Sequence, residues 1–443
     1  MRIVLIWLAM MLAPLTALAE GVTTFRLDNG LEAVVIEDHR APVVVQMLWY
    51  RAGAADEARG KTGVAHFLEH LMFKGTDHLA PGELSKTVEA NGGSDNAFTS
   101  YDYTAYYQRV AADRLDLVMG MEADRMRGLQ LSPDDWATEL QVIVEERAQR
   151  TDSDPSALFA EQMQAAQFLN HPYGAPVIGW PDEMRGLTRE DALAWYRRFY
   201  APNNAVLVVA GDVTPDQVRV LAEKHYGPLA PTDGLAPRHR VAEPPQLAAR
   251  RMEMSDPRVA QPTLRRSYLA PARKAGDQRQ AAALTVLAEV LGGSAQTSVL
   301  GRALALSAQP SALHVAAWYD GEALDYGGFD LAMVPVDGLN PAAAEAALDA
   351  ALAQFLKDGV DPAQLDRIRT QLRAAEIYKR DSAMAQAQEY GAALTTGLTV
   401  ADVQAWPDAL AAVTVDDVMD AARQVLNPAQ SVNGWLLPQG GQS

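Results

Sequence analysis

The chain has 443 residues, 49% apolar and 21% charged, which excludes a disordered, collagen-like or coiled-coil protein and predicts two or three domains. Its 38 Lys and Arg against 56 Asp and Glu give a net charge of −18, which argues against nucleic-acid binding and adsorption to anionic lipid. The sequence contains no cysteine, so any metal must be held by His, Asp, Glu or water.

The N-terminus has the layout of a secretory signal peptide. Arg2 precedes an uncharged run over residues 3–17, and a small-x-small site ends at Ala19. We expect cleavage after Ala19 and therefore a periplasmic or secreted protein without stable membrane insertion. An uncleaved anchor is the alternative, because the run approaches the length of a bilayer span.

The next elements mix strands and helices without regular βαβ alternation. The turn formed by Asp28, Asn29 and Gly30 predicts a hairpin, and an apolar strand follows over residues 43–51. This pattern predicts an α+β fold, in which helices pack on a sheet. Helices are expected at about 62–74, 81–91, 111–128 and 132–150.

The segment TGVAHFLEHLMFKG reads as a helix capped by Thr62 and stopped at Gly75. His66 and His70 lie four residues apart, so one helix face presents both imidazoles, a spacing that suits tetrahedral zinc. Glu69 is placed to accept a proton from zinc-bound water, in the order His-x-x-Glu-His. The alternative is an amphipathic helix with two half-buried histidines.

A third ligand must come from another segment. The helix that opens with Ser132 and Pro133 carries Glu139, Glu145 and Glu146. Helical periodicity alone does not choose among these glutamates, and solvated charge is the alternative role for all three.

The chain also contains an internal repeat. Residues 187–210 align without a gap to residues 413–436, at an offset of 226. Each copy predicts a Thr N-cap, an acidic first turn, a helix, a Pro-containing turn and an apolar strand. We therefore predict two homologous domains from a duplication. The first domain covers residues 20–228, after a signal peptide at 1–19, and the second covers residues 251–443. A Pro- and Ala-rich linker at 229–250 joins them.

Five segments of the chain carry distinctive motifs: GVAHFLEHLMFKGT, GGSDNAFTSYDYTAYY, VIVEER, HPYGAPVIGW and PNNAVLVVAGDV. Together they resemble the pitrilysin/insulysin family of zinc metallopeptidases, in particular small bacterial two-domain members and the subunits of mitochondrial processing peptidase. The motifs are specific over residues 23–215, and beyond them the resemblance is only in the domain architecture. It implies homologous α+β domains, in agreement with the internal repeat, and one zinc ion per chain.

The resemblance also implies roles for single residues. In that family the third ligand lies some 76 residues after the second His, which selects Glu146. Glu139 matches an acidic residue that orients a His ligand from outside the metal shell. Asn96 and the strand residues Ala97, Phe98 and Thr99 should lie along the substrate backbone, since such enzymes bind peptides as an added strand.

The second domain departs from the family pattern. It has no His-x-x-Glu-His motif, so we expect no metal there. Family members usually complete the site with an Arg and a Tyr seven positions apart, and here Ala305 and Ala312 align with them. Arg302 and Tyr319 are the nearest substitutes, but they are 17 positions apart. We expect a heterodimer in which a homologous metal-free subunit supplies Arg and Tyr, and we regard a homodimer as the weaker alternative.

These observations predict a secreted or periplasmic zinc metalloendopeptidase that hydrolyses short or unfolded peptides. Zinc would be held by His66, His70 and Glu146, with Glu69 as the general base. The alternatives are a non-catalytic scaffold and a peptide-binding homologue of the same family.

Overall fold

The computed structural model describes residues 21–439. The predicted signal peptide and its cleavage site after Ala19 lie outside these residues. Within the part of the chain that is described, no helix combines the length and the apolar character needed to cross a membrane.

The first half of the described chain forms one mixed sheet with surrounding helices. Its strands are β1 (Val22–Arg26), β2 (Glu32–Glu37), β3 (Val43–Tyr50), β4 (Ser94–Thr99), β5 (Thr104–Ala111) and β6 (Ala205–Gly211). Its α-helices are α1 (Val64–Leu71), α2 (Glu83–Ala90), α3 (Leu115–Gly128), α4 (Pro133–Arg147), α5 (Pro155–Gln167), α6 (Pro181–Arg185), α7 (Arg189–Phe199) and α8 (Pro215–His225). The strand order is β1-β2-β6-β3-β5-β4, so β4 is an edge strand. The predicted hairpin is present, because β1 and β2 pair antiparallel.

The second half forms a five-stranded sheet with its own helices. The strands are β7 (Arg250–Asp256), β8 (Thr263–Pro271), β9 (Ala312–Asp320), β10 (Tyr326–Pro335) and β11 (Ser431–Pro438). The α-helices are α9 (Arg279–Ala288), α10 (Pro341–Asp358), α11 (Pro362–Lys379), α12 (Ala383–Thr395), α13 (Val400–Ala412) and α14 (Val415–Val425). The strand order is β7-β11-β8-β10-β9.

The two sheets share one topology. The order β2-β6-β3-β5-β4 in the first corresponds to β7-β11-β8-β10-β9 in the second, and in each only the first two strands of that order are parallel. The repeated segments are α7 with β6 and α14 with β11. Both helices begin with a capping box, formed by Thr188 and Asp191 in one and by Thr414 and Asp417 in the other. The predicted fold class, two homologous α+β units, is confirmed.

One helix from each half packs on the sheet of the other half. Helix α12 packs on β3 and β6, and α5 packs on β7, β8 and β11. Glycines allow the close approach, since a Cβ atom at Gly391 would lie 2.0 Å from the Trp49 ring and one at Gly434 would lie 2.2 Å from the sulfur of Met163. The two hydrophobic cores are therefore interlocked.

The segment predicted as a linker holds the two halves together by charge. Residues 230–249 contain neither helix nor strand. Within them, the buried guanidinium of Arg240 lies 2.9 Å from Asp56 and 3.0 Å from Asp325, and it also contacts Asp102. Asp56 and Asp102 belong to the first half and Asp325 to the second, so this arginine ties both halves to the connecting segment.

Candidate metal centre

Helix α1 carries the His-x-x-Glu-His motif and is anchored at its N-terminus by two carboxylates, one nearby in sequence and one distant. Glu57 accepts the backbone N–H groups of Gly63 and Ala65 at 2.9 and 2.8 Å. Glu183 accepts the hydroxyl of Thr62 at 2.8 Å.

The prediction that Thr62 is the N-cap was wrong, because the cap is Gly63 in a left-handed conformation (φ +92°). The helix also ends earlier than predicted, at Leu71. A Cβ at Gly63 would lie 2.7 Å from a backbone carbonyl oxygen of the loop before α6, so the tight packing there requires glycine.

Three side chains converge beside this helix. The Nε2 atoms of His66 and His70 lie 3.6 and 3.1 Å from Oε2 of Glu146, and one donor atom from each residue lies within 4.8 Å of the others. In tetrahedral zinc sites, bonds of about 2.0–2.2 Å place neighbouring ligand atoms about 3.4 Å apart. Two imidazoles and one carboxylate are ligands that zinc accepts. The residues therefore fit a zinc ion in both chemistry and spacing.

The geometry of α4 separates its three glutamates. Glu139 and Glu146 are seven residues apart, which is nearly two helical turns, so both face α1. Glu145 is rotated by about 100° from Glu146, and it accepts a hydrogen bond from Gln149 at 2.8 Å. Among the three candidates on this helix, Glu146 is the one whose carboxylate meets both histidines.

Glu139 contacts the far side of His70. Its Oε1 lies 3.0 Å from Nδ1 of His70, which leaves Nε2 of that ring facing Glu146. Its Oε2 lies 2.6 Å from the ammonium of Lys74. Although burial raises the pKa of Glu139, the hydrogen bonds from His70 and Lys74 lower it below the ordinary value. An ionised Glu139 can fix the tautomer and the orientation of His70.

The electrostatics of the cluster favour a cation among the three donors. Burial and the neighbouring His70 lower the pKa of His66 to about 4, so this imidazole is neutral and able to donate a lone pair. Burial opposes protonation of His70, but Glu139 and Glu146 raise its pKa to about 9. The carboxylates that favour a proton on His70 favour a divalent cation at the same point, so metal binding should release a proton.

Glu69 lies on the same helix, beside the three converging donors. Its side chain is 9% exposed, and its Oε2 accepts the hydroxyl of Thr99 at 2.6 Å. Burial raises its pKa above the ordinary value, and the hydrogen bond from Thr99 acts in the opposite direction. A carboxylate with a raised pKa at this position is suited to proton transfer.

The cluster opens into a cleft of about 1270 Å³. One wall is the edge strand β4, including the four predicted substrate contacts, and another is α4. All of the lining residues lie between His66 and Arg150, in the first half of the chain. The guanidinium of Arg150 stands at the cleft 2.9 Å from Oε1 of Glu146.

The four second-half residues that were compared with the family's Arg and Tyr do not line the cleft. Ala305 ends a short π-helix and Ala312 begins β9. The guanidinium of Arg302 lies 3.3 Å from Gln364, and the Tyr319 hydroxyl donates to a backbone carbonyl at 2.5 Å. The cleft lining includes none of these four described residues.

Three contacts at the site were not anticipated from the sequence. Lys74 stands four residues after His70, and Arg150 stands four after Glu146, so helical spacing could have drawn attention to both. The contact from Thr99 to Glu69 joins a strand to a helix 30 residues away in sequence, and spacing carries no signal for it.

Two family patterns match the chain. The pattern described as "Insulinase (Peptidase family M16)" matches residues 33–180, and that described as "Peptidase M16 inactive domain" matches residues 186–372. The chain belongs to the M16 peptidase family. The expected resemblance is thereby confirmed, and the division into a motif-bearing first half and an "inactive" second half agrees with the position of the His-x-x-Glu-His motif.

Individual relatives carry protease names. The chain is 35% identical over 275 residues to "Zinc protease PqqE" of Helicobacter pylori, covering 62% of this chain and 61% of the relative. It is 30% identical over 217 residues to "Probable mitochondrial-processing peptidase subunit beta" of Schizosaccharomyces pombe, covering 49% and 47%. The matched stretches thus span about half to three fifths of these relatives. The crystal structure of a protease from Helicobacter pylori superposes with a TM-score of 0.87 at 28% identity, covering 94% of this chain and 99% of that one.

Proposed function

We propose that this protein is a zinc metalloendopeptidase with a zinc ion held by His66, His70 and Glu146. The observation that carries the proposal is the convergence of these donor atoms within 4.8 Å, beside the buried carboxylate of Glu69. Membership of the M16 family and the zinc-protease names of relatives support it. When bound, zinc supplies Lewis acidity, which lowers the pKa of water and polarises a carbonyl.

The side chains around the site have separate tasks in peptide-bond hydrolysis. Glu69 takes the proton of the attacking water on its carboxylate and delivers it to the leaving amine. Glu139 holds the Nδ1 side of His70, which keeps Nε2 directed toward the cleft. Lys74 compensates the charge of Glu139.

The shape of the cleft indicates an extended peptide as substrate. Among residues 21–439, β4 pairs with a strand only on the side of β5, so its other main-chain edge, at residues 96–99, borders the cleft. A peptide can add to this edge as a further strand, with backbone hydrogen bonds to the segment from Asn96 to Thr99. Such pairing requires an extended backbone, which short or unfolded peptides provide.

A second, homologous subunit is part of this proposal. The cleft is built from the first half of the chain, and Ala305 and Ala312 offer no hydrogen-bond donor to a developing oxyanion. A second copy of the same chain would bring the same alanines. We therefore favour a heterodimer with a metal-free homologue that contributes Arg and Tyr.

The proposed location is the periplasm, or the medium after secretion. It rests on the basic start, the uncharged run and the small-x-small site before Glu20. N-terminal sequencing of the mature protein should begin at Glu20, and a mature protein that retains Met1 would contradict the cleavage.

The Glu69→Gln variant tests the function directly. We expect one zinc per chain in both proteins, cleavage of an unfolded peptide by the wild type with its partner subunit, and no product above background from the variant. Mass spectrometry of the products and elemental analysis of the protein are the measurements. Hydrolysis by the zinc-loaded variant would exclude Glu69 as the base.

The same preparation separates the alternative functions. A peptide-binding homologue would hold peptides with equal affinity in both proteins and form no product. A scaffold would bind neither zinc nor peptide. Full activity of the purified chain alone would contradict the heterodimer.

A further inference from the structure

Thr99 occupies the point where the peptide-binding edge meets the proposed general base. It is the last residue of β4, and its hydroxyl lies 2.6 Å from Oε2 of Glu69 on helix α1. The side chain is partly buried at the wall of the cleft. The hydroxyl therefore connects two elements that otherwise approach the site from different directions.

The proton of this hydroxyl is directed to Glu69. Among the described residues its second contact is the hydroxyl of Thr104, at 3.5 Å, which is too distant for a strong hydrogen bond. The Thr104 hydroxyl donates its own proton to the backbone carbonyl of Ala52 at 3.1 Å. A hydroxyl donating to a carboxylate makes a short, charge-assisted hydrogen bond, which agrees with the observed 2.6 Å.

The backbone around Thr99 is well placed to hold this hydroxyl still. Thr99 pairs with Thr104 in the antiparallel register of β4 and β5, and the backbone N–H of Ser100 donates to the carbonyl of Tyr103 at 2.8 Å. Thr104 is fully buried. The donor therefore projects from a closed hairpin end, whereas the glutamate that it contacts has three rotatable side-chain bonds.

We infer that Thr99 is a positioning residue, which holds Oε2 of Glu69 and leaves Oε1 as the oxygen that accepts the proton of the attacking water. The inference rests on the proposed function of Glu69 as base. It goes beyond that function by assigning separate tasks to the two carboxylate oxygens and by tying the base to the strand that receives the peptide. Proton transfer depends on a fixed donor–acceptor geometry, so loss of the anchor should affect turnover more than binding.

The test compares Thr99→Val, which replaces the hydroxyl with a methyl group of similar size, with Thr99→Ser, which keeps the hydroxyl. With the partner subunit and zinc present, Thr99→Val should lower kcat by about 10- to 100-fold, the effect expected for loss of a hydrogen bond to a charged group. KM should stay within about threefold, because backbone pairing to β4 is unchanged. Thr99→Ser should recover most of kcat. The control is Thr24→Val on β1, an exposed threonine on the opposite edge of the same sheet.

Zinc content and unfolding temperature are measured for every variant. If Thr99→Val does not fold, Thr99→Ser and Thr99→Ala form the second comparison, because both lack the methyl group and differ only in the hydroxyl. A kcat within twofold of the wild type in Thr99→Val or Thr99→Ala, or an effect on KM alone, would overturn the inference. Failure of zinc-loaded wild type to cleave any peptide would instead overturn the proposed function.

Discussion

The two halves of this protein share a topology but use equivalent helices differently. Helix α1 follows β3 and presents His66, Glu69 and His70 to the cleft, whereas α9 follows β8 and buries Ala282, Leu284 and Leu287 in its core. The second half forms the same topology without these three side chains. The shared fold therefore does not depend on them.

Helices α4 and α11 show the same contrast when their residues are counted from the N-cap of each helix. Glu139 and Glu146 lie seven and fourteen residues after Ser132, the N-cap of α4. In α11, the same distances from the N-cap Asp361 lead to Ile368 and Ala375. Ile368, which is buried, thus occupies the place of Glu139, the carboxylate that contacts Nδ1 of His70. Helices α9 and α11 therefore lack both the His-x-x-Glu-His residues of α1 and the two glutamates of α4 that the first half brings together.

The strongest test of this contrast makes the first half resemble the second. Glu146→Ala introduces the residue found at the equivalent place in α11, and it removes the only carboxylate among the three converging donors. We expect loss of bound zinc and a fall in peptide hydrolysis of at least about 1000-fold, since the Lewis acid is lost. Elemental analysis and product formation are measured together. The matched control is Glu145→Ala on the same helix, which should keep its zinc; zinc loss from this control alone would reverse the assignment.

A second test concerns the exchanged helices, in which the two halves depend on each other. Gly391→Val on α12 should destabilise the protein by about 2–3 kcal/mol, because added side-chain atoms would overlap the Trp49 ring in an interlocked core. The measurement is the midpoint and slope of urea unfolding. Gln388→Val, at an exposed position of the same helix, should change stability by less than about 0.5 kcal/mol. Equal effects of both variants would mean that this contact does not hold the helix.

The smallest expected effect distinguishes the N-termini of α1 and α9. Helix α9 begins without a side-chain cap, whereas α1 is held by Glu57, whose burial raises its pKa to about 8. At pH values between the ordinary pKa of 4.5 and the raised pKa of about 8, Glu57 is ionised in the unfolded chain but keeps its proton in the folded chain. This group's contribution to the free energy of unfolding is therefore fully present below pH 4.5 and decreases as the pH rises through 8.

Urea unfolding at several pH values checks this dependence. From pH 5 to pH 8, the wild type should lose about 1–3 kcal/mol relative to Glu57→Gln, which cannot ionise. Gln388→Val, at an exposed position on α12, leaves every carboxylate in place and should follow the wild type at every pH. A constant difference between wild type and Glu57→Gln across this range would show that Glu57 is ionised in the folded protein.

Local features of this protein were predictable where neighbouring residues decide them. The capping boxes at Thr188 and Thr414 and the hairpin turn at Asp28–Gly30 follow from short-range hydrogen bonding and turn chemistry. The cap of α1 was not predictable in this way. There, Thr62 donates to a carboxylate 121 residues away, and the glycine beside it meets a loop that is also distant in sequence.

The sequence by itself determined the two-fold repeat, because two segments 226 residues apart align without a gap. It also determined the pairing of His66 with His70 and the group of glutamates from which a third ligand could come, because helical spacing acts over one or two turns. The family resemblance selects Glu146 from this group. Only the tertiary structure shows that its carboxylate lies beside both histidines, that Thr99 contacts Glu69, and that α5 and α12 cross between the halves. These contacts depend on how distant elements dock, and docking is decided by the shape and burial of whole surfaces.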